Sequence, residues 1–192
     1  GILVKGGNYL EALAKTETVV FDKTGTLTEG RFEVAELNAE NGFDKESVLF
    51  YAACAESLST HPIALSIVNG YGRETDGHAQ NVSETAGKGV SATVDGHAVL
   101  AGNALLMRES CIEFKETVTS GTTVYVAVDG KFAGSIVIKD KIKRDSAQAI
   151  ARLKNTGVKN TVMLSGDNEA IAREVAEKTG LDAVYALSLI HI

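Results

Sequence analysis

The chain has 192 residues, 19 Lys and Arg against 25 Asp and Glu, a formal net charge of −6 and 44% hydrophobic residues. That is enough for one large domain or two small ones with a real core, and the acidic balance without any basic stretch argues against nucleic acid as a partner. No run reaches the roughly 18 apolar residues of a membrane span, and the start does not read as a signal peptide. Cys54 and Cys111 lack C-x-x-C partners, so neither zinc nor a disulfide framework is implied, and both are expected to be small buried residues in a reducing compartment.

In chain order, Gly1-Ile2-Leu3-Val4-Lys5-Gly6-Gly7 opens without an initiating Met, and Asn8 can cap a short helix carrying Tyr9, Leu10 and Leu13. Val19-Val20-Phe21 is a short buried strand, and Asp22-Lys23-Thr24-Gly25-Thr26-Leu27-Thr28 is the loop leaving its carboxyl end. In open α/β sheets ligands bind at that end. Asp22 there faces incoming substrate. The hydroxyls of Thr24 and Thr26 and the permissive backbone of Gly25 suit a phosphoryl group, and Lys23 adds positive charge beside a carboxylate that meets an anion. Taken singly, these residues also fit a solvated turn.

Glu29-Gly30 marks a turn, and Phe32, Val34 and Leu37 suggest a strand. Asp44 caps a helix through Val48, Leu49, Tyr51, Ala52 and Ala55, whose apolar set has helical spacing and reads as core. Glu56 to His61 then leads into a second helix with Pro62 in its first turn, where the missing N–H costs nothing. A histidine so placed is by itself more often a hydrogen-bonded structural residue than a ligand. Gly87-Lys88-Gly89 precedes an alternating run, Asp95-Gly96 is a hairpin turn, His97 to Ala101 returns, and Gly102-Asn103 opens another helix. The G-x-G is not a Walker A loop, since no hydroxyl residue follows the Lys at the required spacing. His78 and His97 have no metal-ligand spacing. Thr122 to Val128 and Lys131 to Ile138 form a second hairpin around Asp129-Gly130.

From Lys139-Asp140 the pattern changes to that of a parallel α/β domain. A helix carrying Ile142, Ala147, Ile150, Ala151 and Leu153 ends at Gly157, Thr161 to Leu164 is a short buried strand, and Ser165-Gly166-Asp167-Asn168 is the loop before a helix stopped by Gly180. This strand–loop–helix repeats the geometry at Asp22. If the two strands are neighbours, both loops share one edge and donors of the second loop meet a phosphoryl group on Asp22. The expected organisation is a first domain of residues 1–30 and 139–192, interrupted by an antiparallel α+β insert, 31–138.

Several of these stretches together resemble a known family. Asp22-Lys23-Thr24-Gly25-Thr26-Leu27-Thr28 is similar to the phosphorylation signature of P-type ATPases, within the haloacid-dehalogenase-like superfamily. Ser59-Thr60-His61-Pro62 resembles the Ser-x-His-Pro signature of heavy-metal pumps, and Ser165-Gly166-Asp167-Asn168 resembles their T-G-D-N loop with the hydroxyl kept. The resemblance implies a haloacid-dehalogenase-like Rossmannoid parallel-sheet phosphorylation domain with an inserted nucleotide-binding domain. It implies that ATP binds the insert, with His61 along the adenine ring, Glu56 on its exocyclic amine, and Gly87, Gly89, Gly102 and Asn103 against the nucleotide. Asp22 takes the γ-phosphoryl group, Mg²⁺ is held by the Asp22 carboxylate and the Thr24 carbonyl, and Lys23, Thr24, Gly25, Thr26, Ser165, Gly166 and Asp167 serve the transfer. The Lys5-Gly6-Gly7 and Tyr9-Leu10-Glu11 stretch and residues 142–168 look more like zinc, cadmium and lead exporters than copper exporters. The parent would be a membrane protein with this segment at the cytoplasmic face.

The resemblance fades after Ala186. The tail Leu187 to Ile192 is apolar and lacks the lysine and the G-D-G-x-N-D loop of the family, so little or no turnover is expected of this stretch alone. Two other readings stand beside the pump. One is a soluble phosphatase using Asp22, against which Thr24 occupies the position where such enzymes carry a second Asp. The other is a nucleotide-binding module without catalysis.

Overall fold

The computed structural model describes residues 3–117, 119, 121–166 and 169–186. Its elements are α1 Gly7–Ala14, β1 Thr18–Asp22, β2 Thr28–Ala39, α2 Lys45–Ala55, α3 Pro62–Tyr71, β3 Ala79–Thr85, β4 Gly89–Val94, β5 His97–Gly102, α4 Ala104–Glu109, β6 Thr122–Val128, β7 Lys131–Ile142, α5 Ser146–Asn155, β8 Asn160–Ser165, α6 Glu169–Thr179 and β9 Ala183–Ala186. They form two compact units, one of Gly1–Gly30 with Ile142–Ile192 and one of Arg31–Lys141.

The first unit is built on a parallel sheet in the order β1-β8-β9. Met163 on β8, Ile150 on α5, and Ala172 and Val175 on α6 bury one side of it together with Leu27. Asp182 ties the base of this sheet. Its carboxylate accepts from the Thr161 N–H at 2.8 Å, the Thr161 hydroxyl at 2.7 Å and Lys154 Nζ at 2.5 Å. Those bonds, with Lys154 first, hold its pKa down at about 2. Four expectations are amended here. Asn8 lies inside α1, whose N-cap is Gly6. β1 is not buried, since Val20 is 54% exposed. Ile142 belongs to β7 and not to a helix, because α5 starts only at Ser146. Glu29-Gly30 does not end an element, since β2 runs through it with Gly30 at φ 67°.

The second unit carries a sheet in the order β2-β7-β6-β5-β4-β3, antiparallel from β7 to β3. The period of two along β6 decides its layers. Val124, Val126 and Val128 pack with Val48, Ala52 and Ile67 of α2 and α3, whereas Tyr125 and Ala127 face the opposite side, against Leu106, Met107 and Ile112. The sheet is therefore covered on both faces. Both hairpin turns have two successive residues at positive φ, Asp95-Gly96 at 48° and 86° and Asp129-Gly130 at 49° and 77°. This is the type I′ geometry that Asp-Gly favours. Cys54 is buried in this core, and its thiol is pushed up to about 11 by burial; Cys111, expected to be buried, is exposed at the end of α4. His78 and His97 pair through Nδ1 with Asp95 and Asp129 at 2.9 and 2.6 Å.

Candidate functional site

In the second unit, six separated residues converge on one cavity of about 450 Å³. Glu56, His61, Gly87, Gly89, Gly102 and Asn103 all line it, with Ile63, Val82, Glu84, Lys88 and Thr123. Local rules place each of them. Asp44 caps α2 by accepting from the Ser47 N–H at 2.8 Å, and α2 ends by delivering Glu56 to the rim. His61 is the cap of α3: its Nδ1 accepts from the Ile63 N–H at 3.3 Å, Pro62 fixes the first helical turn, and the ring stays exposed.

The opposite wall is backbone. Gly89 and Gly102 are cross-strand partners in the β4–β5 ladder. A Cβ on Gly89 would lie 2.2 Å from the Ala101 carbonyl oxygen, and one on Gly102 would lie 2.3 Å from that of Lys88. Only glycine lets the two strands close up here. Asn103 locks the turn before β4. Its N–H and its Nδ2 donate to the carbonyls of Lys88 and Gly87, both at 2.8 Å, while its Oδ1 accepts from the Leu106 N–H at 3.1 Å.

Charge in the cavity is unevenly spent. Lys88 is engaged by Glu109, with Nζ at 2.8 and 2.6 Å from the two carboxylate oxygens. Burial raises the Glu56 carboxyl to about 7, and the nearby charge of Glu84 raises it further in the same direction. Apolar walls with a few convergent polar groups suit a small flat ligand bearing a polar edge.

In the first unit, Asp22 ends β1 and is exposed. The turn after it holds Thr24 at φ −73°, ψ 124° and Gly25 at φ 75°, ψ −14°. Those are the angles of a type II turn, which calls for glycine in the second central position. Thr24 and Thr26 are exposed, and Lys23 is buried. Asp22 stands opposite Leu164 in the parallel β1–β8 ladder, so buried Ser165 and then Gly166 leave the sheet at the same edge as the Asp22 turn. Asp167 lies outside the described residues.

Three residues that the sequence did not flag hold this turn. The Thr28 hydroxyl donates to the Lys23 carbonyl at 3.0 Å and accepts from the Gly25 N–H at 3.3 Å. Lys143 Nζ donates to the Gly25 carbonyl at 2.6 Å, and the Ser146 hydroxyl donates to the Leu27 carbonyl at 2.8 Å. Lys143 and Ser146 come from 118 and 119 residues away, so no local pattern announces them. The exposed oxygens of this turn, the Asp22 carboxylate and the Thr24 carbonyl, are hard donors of the kind Mg²⁺ prefers. Among the described residues no group of three His, Cys, Asp or Glu forms a metal site of its own.

A carboxylate on a glycine-bearing turn at the carboxyl edge of a parallel sheet, with a hydroxyl-bearing loop beside it, is an arrangement that suits phosphoryl transfer. The profile of the haloacid dehalogenase-like hydrolases matches residues 16–192, and the chain belongs to that family. A zinc-transporting ATPase of Synechocystis sp. is 48% identical over 187 residues, 97% of this chain and 26% of the relative. A cadmium, zinc and cobalt-transporting ATPase of Bacillus subtilis is 47% identical over 187 residues, 97% of this chain and 27% of the relative. The crystal structure of a zinc-transporting PIB-type ATPase in its E2.Pi state superposes with a TM-score of 0.77 at 34% identity, covering 94% of this chain and 31% of that one. The chain thus spans about a quarter of the length of the curated relatives it matches.

Proposed function

We propose that this chain is the ATP-binding and phosphoryl-accepting region of a P-type ATPase that exports a divalent heavy-metal cation, with zinc or cadmium as cargo. The observation that carries the reading is the convergence of Glu56, His61, Gly87, Gly89, Gly102 and Asn103, from four stretches of sequence, on a single cavity.

ATP lies in that cavity, with His61 along the adenine, Glu56 on its amino edge, and the Gly89 and Gly102 backbones close to the nucleotide. The Asp22 carboxylate attacks the γ-phosphorus in line. The bond to the β,γ-bridging oxygen breaks, ADP leaves with that electron pair, and an aspartyl phosphate forms. Lys23, Thr24 and Ser165 stabilise the transferred charge, Gly25 shapes the turn, and Thr26, Gly166 and Asp167 complete the phosphoryl pocket. The Asp22 carboxylate and the Thr24 carbonyl would hold Mg²⁺, which would supply charge neutralisation when bound. Thr24 in place of a second Asp favours a long-lived aspartyl phosphate over rapid hydrolysis.

The choice of zinc or cadmium rests on the 47–48% identity to transporters of those metals. Among the described residues no helix is long and apolar enough to cross a membrane, so translocation belongs to other parts of the parent, on whose cytoplasmic face this region would sit. Calorimetric titration with MgATP tests the reading. Saturable binding, weakened tenfold or more by His61→Ala, is expected; binding indifferent to that change contradicts the assignment of the cavity.

A further inference from the structure

Resting on that reading, the cavity also says how the base is held. The Glu56 carboxyl accepts no hydrogen bond from any described residue, and it shares its cavity with the apolar side chains of Ala55, Ile63, Val82 and Val124. The charged and titratable groups that face it are few. Glu84 on β3 brings a like charge, His61 stands at the entrance of α3, and Lys88 in the turn before β4 is engaged by both oxygens of Glu109. β4, β5 and β6 contribute only glycine, Val90, threonines and Val124 to the lining, and the cap of α4 adds the Asn103 amide. Among the described residues no cation holds Glu56 as an anion, and an apolar wall with a second carboxylate disfavours the ionised form.

A neutral carboxylic acid presents one donor and one acceptor side by side, whereas a carboxylate presents acceptors alone. Adenine's edge is an amino donor next to the N1 acceptor. We propose that Glu56 reads the nucleotide base as a neutral acid, its O–H donating to adenine N1 and its carbonyl oxygen accepting from the exocyclic amine. Burial of Glu56 then serves recognition as well as packing, and affinity for adenine depends on a proton on its carboxyl.

The test uses adenosine, which carries no phosphate to titrate, with calorimetry on the whole chain and on Glu56→Gln, whose amide keeps the donor–acceptor pair at every pH. Adenosine affinity is expected to hold up to about pH 6 and to fall about tenfold by pH 8, since one pH unit beyond the midpoint leaves about a tenth of the acid protonated. Adenosine binding at pH 8 is expected to take up close to one proton, seen as a buffer-dependent heat. Glu56→Gln binds adenosine within about threefold of the parent at pH 6 and stays flat to pH 8, so the difference between the two proteins removes the contribution of His61. The inference is overturned if adenosine binds more tightly with rising pH and Glu56→Gln loses tenfold or more at pH 6, the signature of an anionic acceptor. Failure of both adenosine and MgATP to bind a folded chain, checked by circular dichroism, removes the nucleotide reading itself. MgATP binding that ignores Glu56→Ala and Glu56→Gln alike keeps a nucleotide site and discards this role for Glu56.

Discussion

The Asn103 side-chain amide donates to the Gly87 carbonyl at 2.8 Å while its Oδ1 accepts from the Leu106 N–H at 3.1 Å. One side chain thus caps α4 and pins the glycine turn 16 residues earlier in the sequence. Asn103→Ala is expected to cost about 1–2 kcal/mol through the lost cap and the freed carbonyl. It should also weaken ATP by more than a change elsewhere on α4, because the Gly87–Gly89 turn loosens. Asn103→Ser, which keeps a cap and loses the reach to Gly87, should recover stability and leave binding impaired. Thermal melts and ATP titrations on the two variants separate those effects.

The glycines of the cavity wall are not equivalent. Gly89 has φ 143° and its added Cβ would meet Ala101 O and Gly102 Cα at 2.2 and 2.5 Å, whereas Gly87 has φ 71° and open space around it. Gly89→Ala must push two strands apart and is expected to cost about 3 kcal/mol or more. Gly87→Ala carries only the left-handed backbone penalty, about 1 kcal/mol. Denaturant midpoints for the pair check the ordering.

The Glu56 contribution makes ligand-free stability fall as pH rises. Its folded pKa of about 7 lies above the ordinary 4.5. The folded state therefore binds more protons than the unfolded one at this group between those values, and the Glu56 contribution is fully present below pH 4.5 and is lost as pH climbs to 7. Across that window the loss is about 1–3 kcal/mol, given that the side chain keeps some solvent. Glu56→Gln should flatten the slope and be the more stable protein at pH 8. Urea unfolding of both proteins at pH 5 and pH 8 reads this directly.

Ser146 and Lys143 should report on the Asp22 turn. The Ser146 side chain is buried and its only acceptor among the described residues is the Leu27 carbonyl. Ser146→Ala is expected to destabilise the first unit by about 1–2 kcal/mol. Lys143→Met frees the Gly25 carbonyl at an exposed position, so it should leave the melting temperature within a degree or two while lowering affinity for beryllium fluoride, an acyl-phosphate mimic, together with Mg²⁺. Equal effects of both variants on melting would show that Lys143 only props the fold.

Much of this was legible in the chain because the signals are local. Asp44, Pro62, Asp95-Gly96 and Asp129-Gly130 announce their caps and turns by residue type alone, and the type II turn at Thr24-Gly25 needs its glycine. What stayed hidden depends on distance. Lys143 and Ser146 reach their acceptors across more than a hundred residues, and Glu84 has no spacing that places it beside Glu56. Ile142 looked helical because its apolar neighbours have helical spacing, yet it continues a strand whose partner, β2, is remote in sequence. Residue type predicts burial only on average, and Cys111 falls in the exposed positive-φ turn that ends α4, at φ 56°.

The central claim is that ATP occupies the cavity of the second unit, and amide chemical-shift mapping of the ¹⁵N-labelled chain during an MgATP titration tests it most directly. The account predicts saturable shifts at Gly87, Gly89, Gly102, Asn103 and Thr123, abolished in His61→Ala at the same nucleotide concentration. Saturation that leaves those five amides unmoved, with shifts gathered elsewhere, would contradict it.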